Sequence, residues 1–450
     1  MLLGIAYAVL MGMDSLLVAR VIMGLSLAFH IVFAAAGMAM PFLMAMAHYR
    51  ALRSGDGSDD ALRRMWLKGV AILFATGAVS GTVLSFELGL LWPTFMARAG
   101  AIIGMPFSWE GTAFFLEAIC IGLYLYGEKR MKPWLHFATG VMVGVCGVAS
   151  AIFVVSANAW MNAPQGFSSL SPGSPIDPVR AMFNPAWLHE SLHMVLAAFE
   201  AVGFAVAGIH AWLVLRGQNV DLNRRALHIA LSIGAVAALL QPISGDFAAK
   251  RVAVLQPEKL AAMESLFVTQ ARAPLAILGL PDPQTETLAG AIEVPGALSF
   301  LAFGRFDATV QGLHDFPRDR WPPVVPTHIA FQIMVGCGMA LVGVALLFAA
   351  FALRRRALPR WLLWIVALCT PLGFVALEAG WVVTEVGRQP WIIYGWLRTK
   401  EAVTPIPGLQ YHLILFGGLY VFLAAMVVGL MRRQIRAVNA AASTPASASE

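Results

Sequence analysis

Charge is scarce in this chain. Asp, Glu, Lys and Arg make up 12% of its 450 residues, against 59% hydrophobic. With a mean hydropathy of +0.73, that balance excludes an ordinary soluble domain and indicates a polytopic membrane protein. Cysteine is scarce too. Cys120, Cys146, Cys337 and Cys369 all fall in apolar runs with no CxxC pair among them, so neither a disulfide framework nor a zinc site is indicated. The net charge of +6 sits in short basic segments, where it reports orientation and does not point to nucleic acid. The opening MLLGIAYAVLMG lacks a basic n-region and a cleavage site, and Met13 is a second possible start. No internal repeat is evident, which weighs against a secondary transporter.

What the chain has is a succession of apolar runs of about 20 residues, the length needed to cross a bilayer as a helix. Hydropathy gives an all-α bundle of nine spans, near 17–47, 66–90, 108–127, 134–157, 187–215, 226–245, 327–352, 361–384 and 409–431. Basic residues crowd alternate loops: Arg50, Arg53, Arg63 and Arg64; Lys129, Arg130 and Lys132; Arg216, Arg224 and Arg225; Arg354, Arg355, Arg356 and Arg360; Arg432, Arg433 and Arg436. The positive-inside rule then puts the amino terminus outside and the carboxyl terminus in the cytoplasm. The chain divides into helices one to six (1–245), one long Pro-rich external connection (246–326), helices seven to nine (327–438) and a disordered Ala/Ser tail (439–450).

Polar side chains in an apolar solvent are costly, about 2.5–3.5 kcal/mol for a charge at mid-membrane on insertion scales, so each one calls for a partner or a role. Glu378 and Glu385 stand two helical turns apart in LEAGWVVTEVGRQPW, which ends in a turn carrying Arg388 and Trp391. An arginine and a flat ring at a membrane boundary suit a flat, carboxylate-bearing cofactor, or else an interfacial anchor. Glu110 and Glu117 repeat the seven-residue spacing in WEGTAFFLE, placed at the outer end of span three. His30 lies in span one, ten residues after Arg20; His189 and His193 open span five, four apart; Met334 lies near the outer start of span seven. The topology gathers nearly all of these in the outer half of the membrane, on the side of the long connection. A His beside a Met is notable because such pairs hold low-spin haem iron. His48, His136, His210 and His228 fall near cytoplasmic boundaries and read as structural.

Together, GRQPW at 387–391, EAGWVVTE before it, ANAWMNAP at 157–164 and EGTAFFLE at 110–117 resemble subunit I of the cytochrome bd-type quinol oxidases, a similarity running from about Arg20 to Arg433. The resemblance implies a low-spin haem b, a high-spin haem b, and haem d or a third haem b at the oxygen site. It implies His193 and Met334 as the low-spin axial pair, and His30 and Glu385 as proximal ligands of the paired haems, without fixing which serves which. Glu110 and Glu117 match the acidic pair beside those haems, Arg20 and Arg388 match propionate holders, Trp381 an aromatic between haems, and Ser150 a proton-route step. In the connection, EKLAAME puts Lys259 and Glu264 on the quinol-site pair, a carboxylate being able to take a quinol proton.

The implied activity is oxidation of membrane quinol with reduction of dioxygen to water, contributing to the proton motive force. The implied partners are a second polytopic subunit and a small single-span subunit, in the bacterial cytoplasmic membrane. The chain departs from the family at Gln332, where an arginine is common two residues before the Met ligand. Its external loop is of the short type, which includes cyanide-insensitive oxidases. Two rival readings are a proton- or cation-coupled transporter titrating Glu110, Glu117 and Glu385, and a haem-bearing electron-transfer or sensing paralogue without oxygen reduction.

Overall fold

The computed structural model describes residues 12–171 and 173–443, so the apolar opening before Gly12 and the tail beyond Ser443 lie outside the described residues. Helices dominate, in chain order α1 (Ser15–Ser54), α2 (Gly57–Leu91), α3 (Pro93–Tyr126), α4 (Pro133–Asn162), a short α5 (Pro178–Met182), α6 (Trp187–Leu215) and α7 (Val220–Leu255). The connection contributes α8 (Pro257–Glu264) and α9 (Ala297–Phe303); α10 (Val324–Leu353), α11 (Arg360–Leu368), α12 (Leu372–Val386), a short α13 (Thr399–Ala402) and α14 (Leu409–Ser443) complete the chain. The nine predicted spans coincide with these helices except at Gly127, just past α3, and at Cys369–Pro371 between α11 and α12. Among the described residues, eight stretches, counting α11 and α12 as one, are long and apolar enough to cross a membrane. The ninth, α3, is long enough at 34 residues but includes Arg98, Glu110 and Glu117.

Local signals set the helix ends. Asp14 caps α1 by accepting from the Leu17 N–H at 2.9 Å, and Asp56 caps α2 from Ser58 at 2.8 Å. Gly55, at φ +68°, ends α1 in the left-handed conformation that glycine adopts freely. Proline opens α3, α4 and α8, where its missing N–H costs nothing. The predicted eighth span is broken at Cys369–Pro371, because Pro371 cannot donate to the ladder. The sixth span runs on as helix to Leu255, ten residues past its predicted end, and α14 continues through Ser443, past the Asn439 boundary.

The connection is not wholly irregular. It holds β1 (Gln270–Ala271), β2 (Leu275–Ile277), β3 (Leu280–Asp282), β4 (Thr287–Ala289), β5 (Ile292–Val294) and β6 (Thr309–Val310), paired antiparallel as β1 with β6, β2 with β5 and β3 with β4. After the GRQPW turn, β7 (Trp391–Ile393) pairs with β8 (Leu397–Arg398).

The two ends of the bundle differ. At one, Arg225 bonds Asp56 at 2.6 Å and Arg63 bonds Glu128 at 2.9 Å, drawing together the basic loops after α1, α3 and α6. At the other, Thr404 N–H donates to Leu91 O at 2.9 Å and Gln256 to Asn162 O at 3.2 Å, so the segment leading into α14 closes over the end of α2 and the start of the long connection over the end of α4. Small residues bring helices to backbone contact. A Cβ built on Gly203 of α6 would lie 2.5 Å from the Gly234 Cα of α7, and one on Gly373 of α12 2.4 Å from the Ala201 Cα. Without a hydrophobic drive between helices in lipid, such close approach supplies the packing.

Candidate functional site

A cavity of about 790 Å³ opens between α1, α2, α3, α4 and α12 at the end nearer the connection. Arg20, His30, Glu110, Glu117, Ser150, Trp381, Glu385 and Arg388 all line it, amid walls that are mostly apolar. His30 is held through Nδ1 to the Ser80 hydroxyl at 3.0 Å, which leaves Nε2 without a hydrogen bond. Its ring lies over Gly81, where a Cβ would fall 2.9 Å from Cε1. Glycine is therefore what makes room for the imidazole.

The carboxylate pair of α3 faces α4. Glu110 accepts from Ser150 at 3.4 Å. Glu117 is buried opposite Gly147, where a Cβ would lie 3.5 Å from Oε1 and 3.2 Å from the Gly37 carbonyl oxygen. Both lie deeper than a span starting at 108 implies: α3 begins at Pro93, and Glu117 is nine residues from its far end at Tyr126, about 14 Å. The candidate residues form a column descending from Arg20 past His30 to Glu117, instead of meeting at one level.

Near the connection, Glu385 and Arg388 form an ion pair at 2.5 Å, with the Arg388 side chain 2% exposed. Asn158 donates to the other Glu385 oxygen. One turn on, Asn162 Oδ1 accepts from Arg388 Nη1 at 3.4 Å and from Lys259 Nζ at 3.3 Å, while its amide nitrogen donates to Glu190 at 2.9 Å. The end of α4 thus joins α6, α8 and α12 through one amide. Lys259 and Glu264 are both buried on α8. Burial draws the Lys259 ammonium pKa down, with Glu190 opposing, and pushes the Glu264 carboxyl up to about 8. Glu264 Oε2 is buried without a partner.

His193 and Met334 do not line the cavity. His193 bonds the Ser244 hydroxyl of α7 through Nδ1 at 2.9 Å, and the Gln241 amide lies 3.2 Å from Nε2. Met334, on α10, packs with Met263, Ala379 and Val383. A Cβ on Gly380 would sit 3.1 Å from its sulfur. So α12 turns Gly380 toward Met334 and the next residue, Trp381, into the cavity. Trp391, expected to face a cofactor, does not line the cavity; it starts β7, with the Arg398 guanidinium 5.2 Å from its ring centre. His189 is buried with neither ring nitrogen bonded, its ring edge-on to Phe247. Asn158, Asn162 and Glu190 escaped the sequence reading, although the first two lie four apart in ANAWMNAP. Glu87 of α2 escaped it too, fully buried with both carboxylate oxygens unpaired.

Comparison with known proteins decides what this arrangement belongs to. The family model for cytochrome bd terminal oxidase subunit I matches residues 18–439. The chain belongs to that family. It is 37% identical over 423 residues to a putative cytochrome bd menaquinol oxidase subunit I of Bacillus subtilis, covering 92% of this chain and 95% of that one. To a cytochrome bd ubiquinol oxidase subunit 1 of the same organism it is 30% identical, covering 94% of each. The solved structure of bd oxidase from Geobacillus thermodenitrificans superimposes with a TM-score of 0.88 at 36% identity, covering 95% of this chain and 99% of that one. As a family member the chain is a multi-pass protein of the bacterial inner membrane and the subunit I of a quinol:oxygen oxidoreductase, working with a subunit II. The transporter reading of its carboxylates gives way to that membership.

The family implies haem, and the residues here fit it. The cavity is mostly apolar, with a free imidazole nitrogen, three carboxylates and two arginines on its lining. The glycines opposite His30 and Met334 leave the ring and the sulfur the space a larger residue would take.

Proposed function

We propose that this subunit oxidises a membrane quinol at the 246–326 connection, on the external side, and reduces dioxygen to water in the α1–α4/α12 cavity, contributing to the proton motive force. The observation that supports it best is the single cavity lined together by His30, Glu385, Arg20, Arg388, Glu110, Glu117 and Trp381. Haem, when bound, supplies electron transfer and oxygen chemistry. His193 and Met334 would hold a low-spin haem b. His30, through Nε2, and Glu385 would hold the two haems of the oxygen-reducing pair, a high-spin haem b with haem d or a third haem b. Arg20 and Arg388 would hold propionates through charge-assisted bonds.

The chain's own residues do the remaining work. Glu264, whose buried carboxyl is raised to about 8, takes the quinol hydroxyl proton when in its carboxylate form and then releases that proton to the external side. Lys259 orients the quinol oxygen from the same helix. Trp381 fills the space between the Met334 side of α12 and the cavity. Ser150, Glu110 and Glu117 relay protons from the arginine-rich end, where Glu117 lies deepest. A small single-span subunit completes the complex with subunit II.

The test is a purified two-subunit complex given quinol. A reduced-minus-oxidised spectrum with low- and high-spin haem bands, together with quinol-dependent oxygen uptake, is the expected result. Haem bands without oxygen uptake would make it an electron-transfer or sensing paralogue.

A further inference from the structure

The connection contains an apolar stretch that its own core takes in only at Leu275 and Ala276. Residues Leu275–Leu280, LAILGL, include no polar side chain. Leu278 is 60% exposed, Leu280 67%, and Ile292, the partner of Ile277 in the β2–β5 pair, 61%. Contiguous aliphatic surface of this kind marks an interaction face.

Its position says with what. The stretch is fastened to α10 by Gln332, whose amide nitrogen donates to the Ala276 carbonyl and whose amide oxygen accepts the Leu278 N–H, both at 2.9 Å. The strand is kinked there by Leu278 at φ +63° and Gly279 at φ +104°, and the ladder resumes in β3 against β4. Gln332 stands 21 residues before Leu353, the last residue of α10, and Arg354–Arg356 follow at once. At 1.5 Å per residue, that is about 32 Å, close to the ~30 Å of a hydrocarbon core. Gln332 therefore marks the far edge of the hydrocarbon. Ile333 beside it already faces outward from the span, 42% exposed.

The other end of this tongue is polar and turned back on the protein: Glu286 bonds Arg318 at 2.5 Å and His314 at 2.6 Å. The tongue is thus apolar where it meets the helix at the lipid edge and charged where it meets the rest of the connection.

We propose that the β2–β5 tongue is a lipid-contacting surface: Ile277, Leu278, Leu280 and Ile292 lie among lipid at the bilayer edge, continuous with the outward face of α10, and Gln332 fixes their depth. This placement follows from the span and the tongue alone and does not need the quinol assignment, which Glu264→Gln tests separately.

The experiment uses the whole two-subunit complex in phosphatidylcholine nanodiscs. A spin label is attached at Leu280→Cys and, for contrast, at the tip position Thr285→Cys, with the signal of identically treated unsubstituted complex subtracted. The label at 280 should collide with dissolved oxygen in preference to a water-soluble nickel chelate, and the label at 285 should show the reverse. Gln332→Ala should shift the 280 label toward nickel. The proposal is overturned if the 280 label favours nickel in the unaltered background, or if it is shielded from both reagents, which would place subunit II over the tongue. If Leu280→Cys does not assemble, Ile292→Cys reports from the neighbouring strand under the same criteria.

Discussion

Gly81 offers a direct test of whether His30 holds a haem iron. A Cβ there would meet the imidazole Cε1 at 2.9 Å, whereas ordinary contact begins at 3.4 Å, so Gly81→Ala must displace the ring by about 0.5 Å. The ring cannot yield freely, because Nδ1 is fixed by Ser80, the neighbour of Gly81. Overpacking of this size costs about 1–3 kcal/mol, a factor of roughly 5–150 in an equilibrium constant. The proper control lies one turn away. At Gly77 a Cβ would meet the Phe33 Cβ at an ordinary 3.6 Å. Both substitutions gain about 1 kcal/mol of helix propensity, so their difference isolates the clash with His30. Haem per complex, from the pyridine haemochrome, and the high-spin electron paramagnetic resonance signals are the measurements. Gly81→Ala should lose or shift one high-spin haem with the low-spin bands unchanged, while Gly77→Ala matches the parent. If the two variants are indistinguishable, His30 is not an iron ligand.

Met334→Leu should convert the low-spin haem toward high spin and stop quinol oxidation, and an unchanged spectrum would remove Met334 from the ligand set. Glu264 carries a pH prediction. With its carboxyl held near 8 by burial, the base form grows as pH rises, so quinol oxidation should climb between about pH 7 and pH 9 and level off above. Glu264→Gln should flatten that climb with every haem band intact, and loss of the haems would instead mark a structural role. The same shift bears on stability. The contribution of the protonated carboxyl is complete below its ordinary 4.5 and lost as pH rises through about 8, so the melting temperature of the complex should fall across that window in the parent and not in Glu264→Gln.

The spans were legible because lipid demands long apolar runs, and the expected ones fall on helices, the eighth interrupted at Cys369–Pro371. Their ends were less so. Residues 246–255, DFAAKRVAVL, carry too much charge to read as membrane, yet they extend α7 as helix above it. At the site, Glu110, Glu117 and Glu385 stood out because a carboxylate in an apolar run is conspicuous. Asn158 and Asn162 did not, since a neutral amide in a helix is inexpensive, and its partners Glu190, Lys259 and Arg388 lie 28 to 226 residues away. Trp391 is the opposite case. An aromatic after a helix-ending proline suggested a cofactor face, but the hairpin that stacks it under Arg398 depends on pairing that periodicity does not reveal. Gln332 registered in sequence only as a missing arginine; its two backbone bonds to the connection are visible only in three dimensions.

The amide of Asn162 has a genetic consequence. Because Lys259 and Arg388 share its oxygen and Glu190 takes its nitrogen, a strain crippled by Lys259→Met is left with a surplus carboxylate on α6. Selection for aerobic growth should then return second changes at Glu190, neutralising that surplus, more often than changes in the connection where the first defect arose. Revertants mapping only to residues 257–264 would mean that the two helices do not share this charge balance.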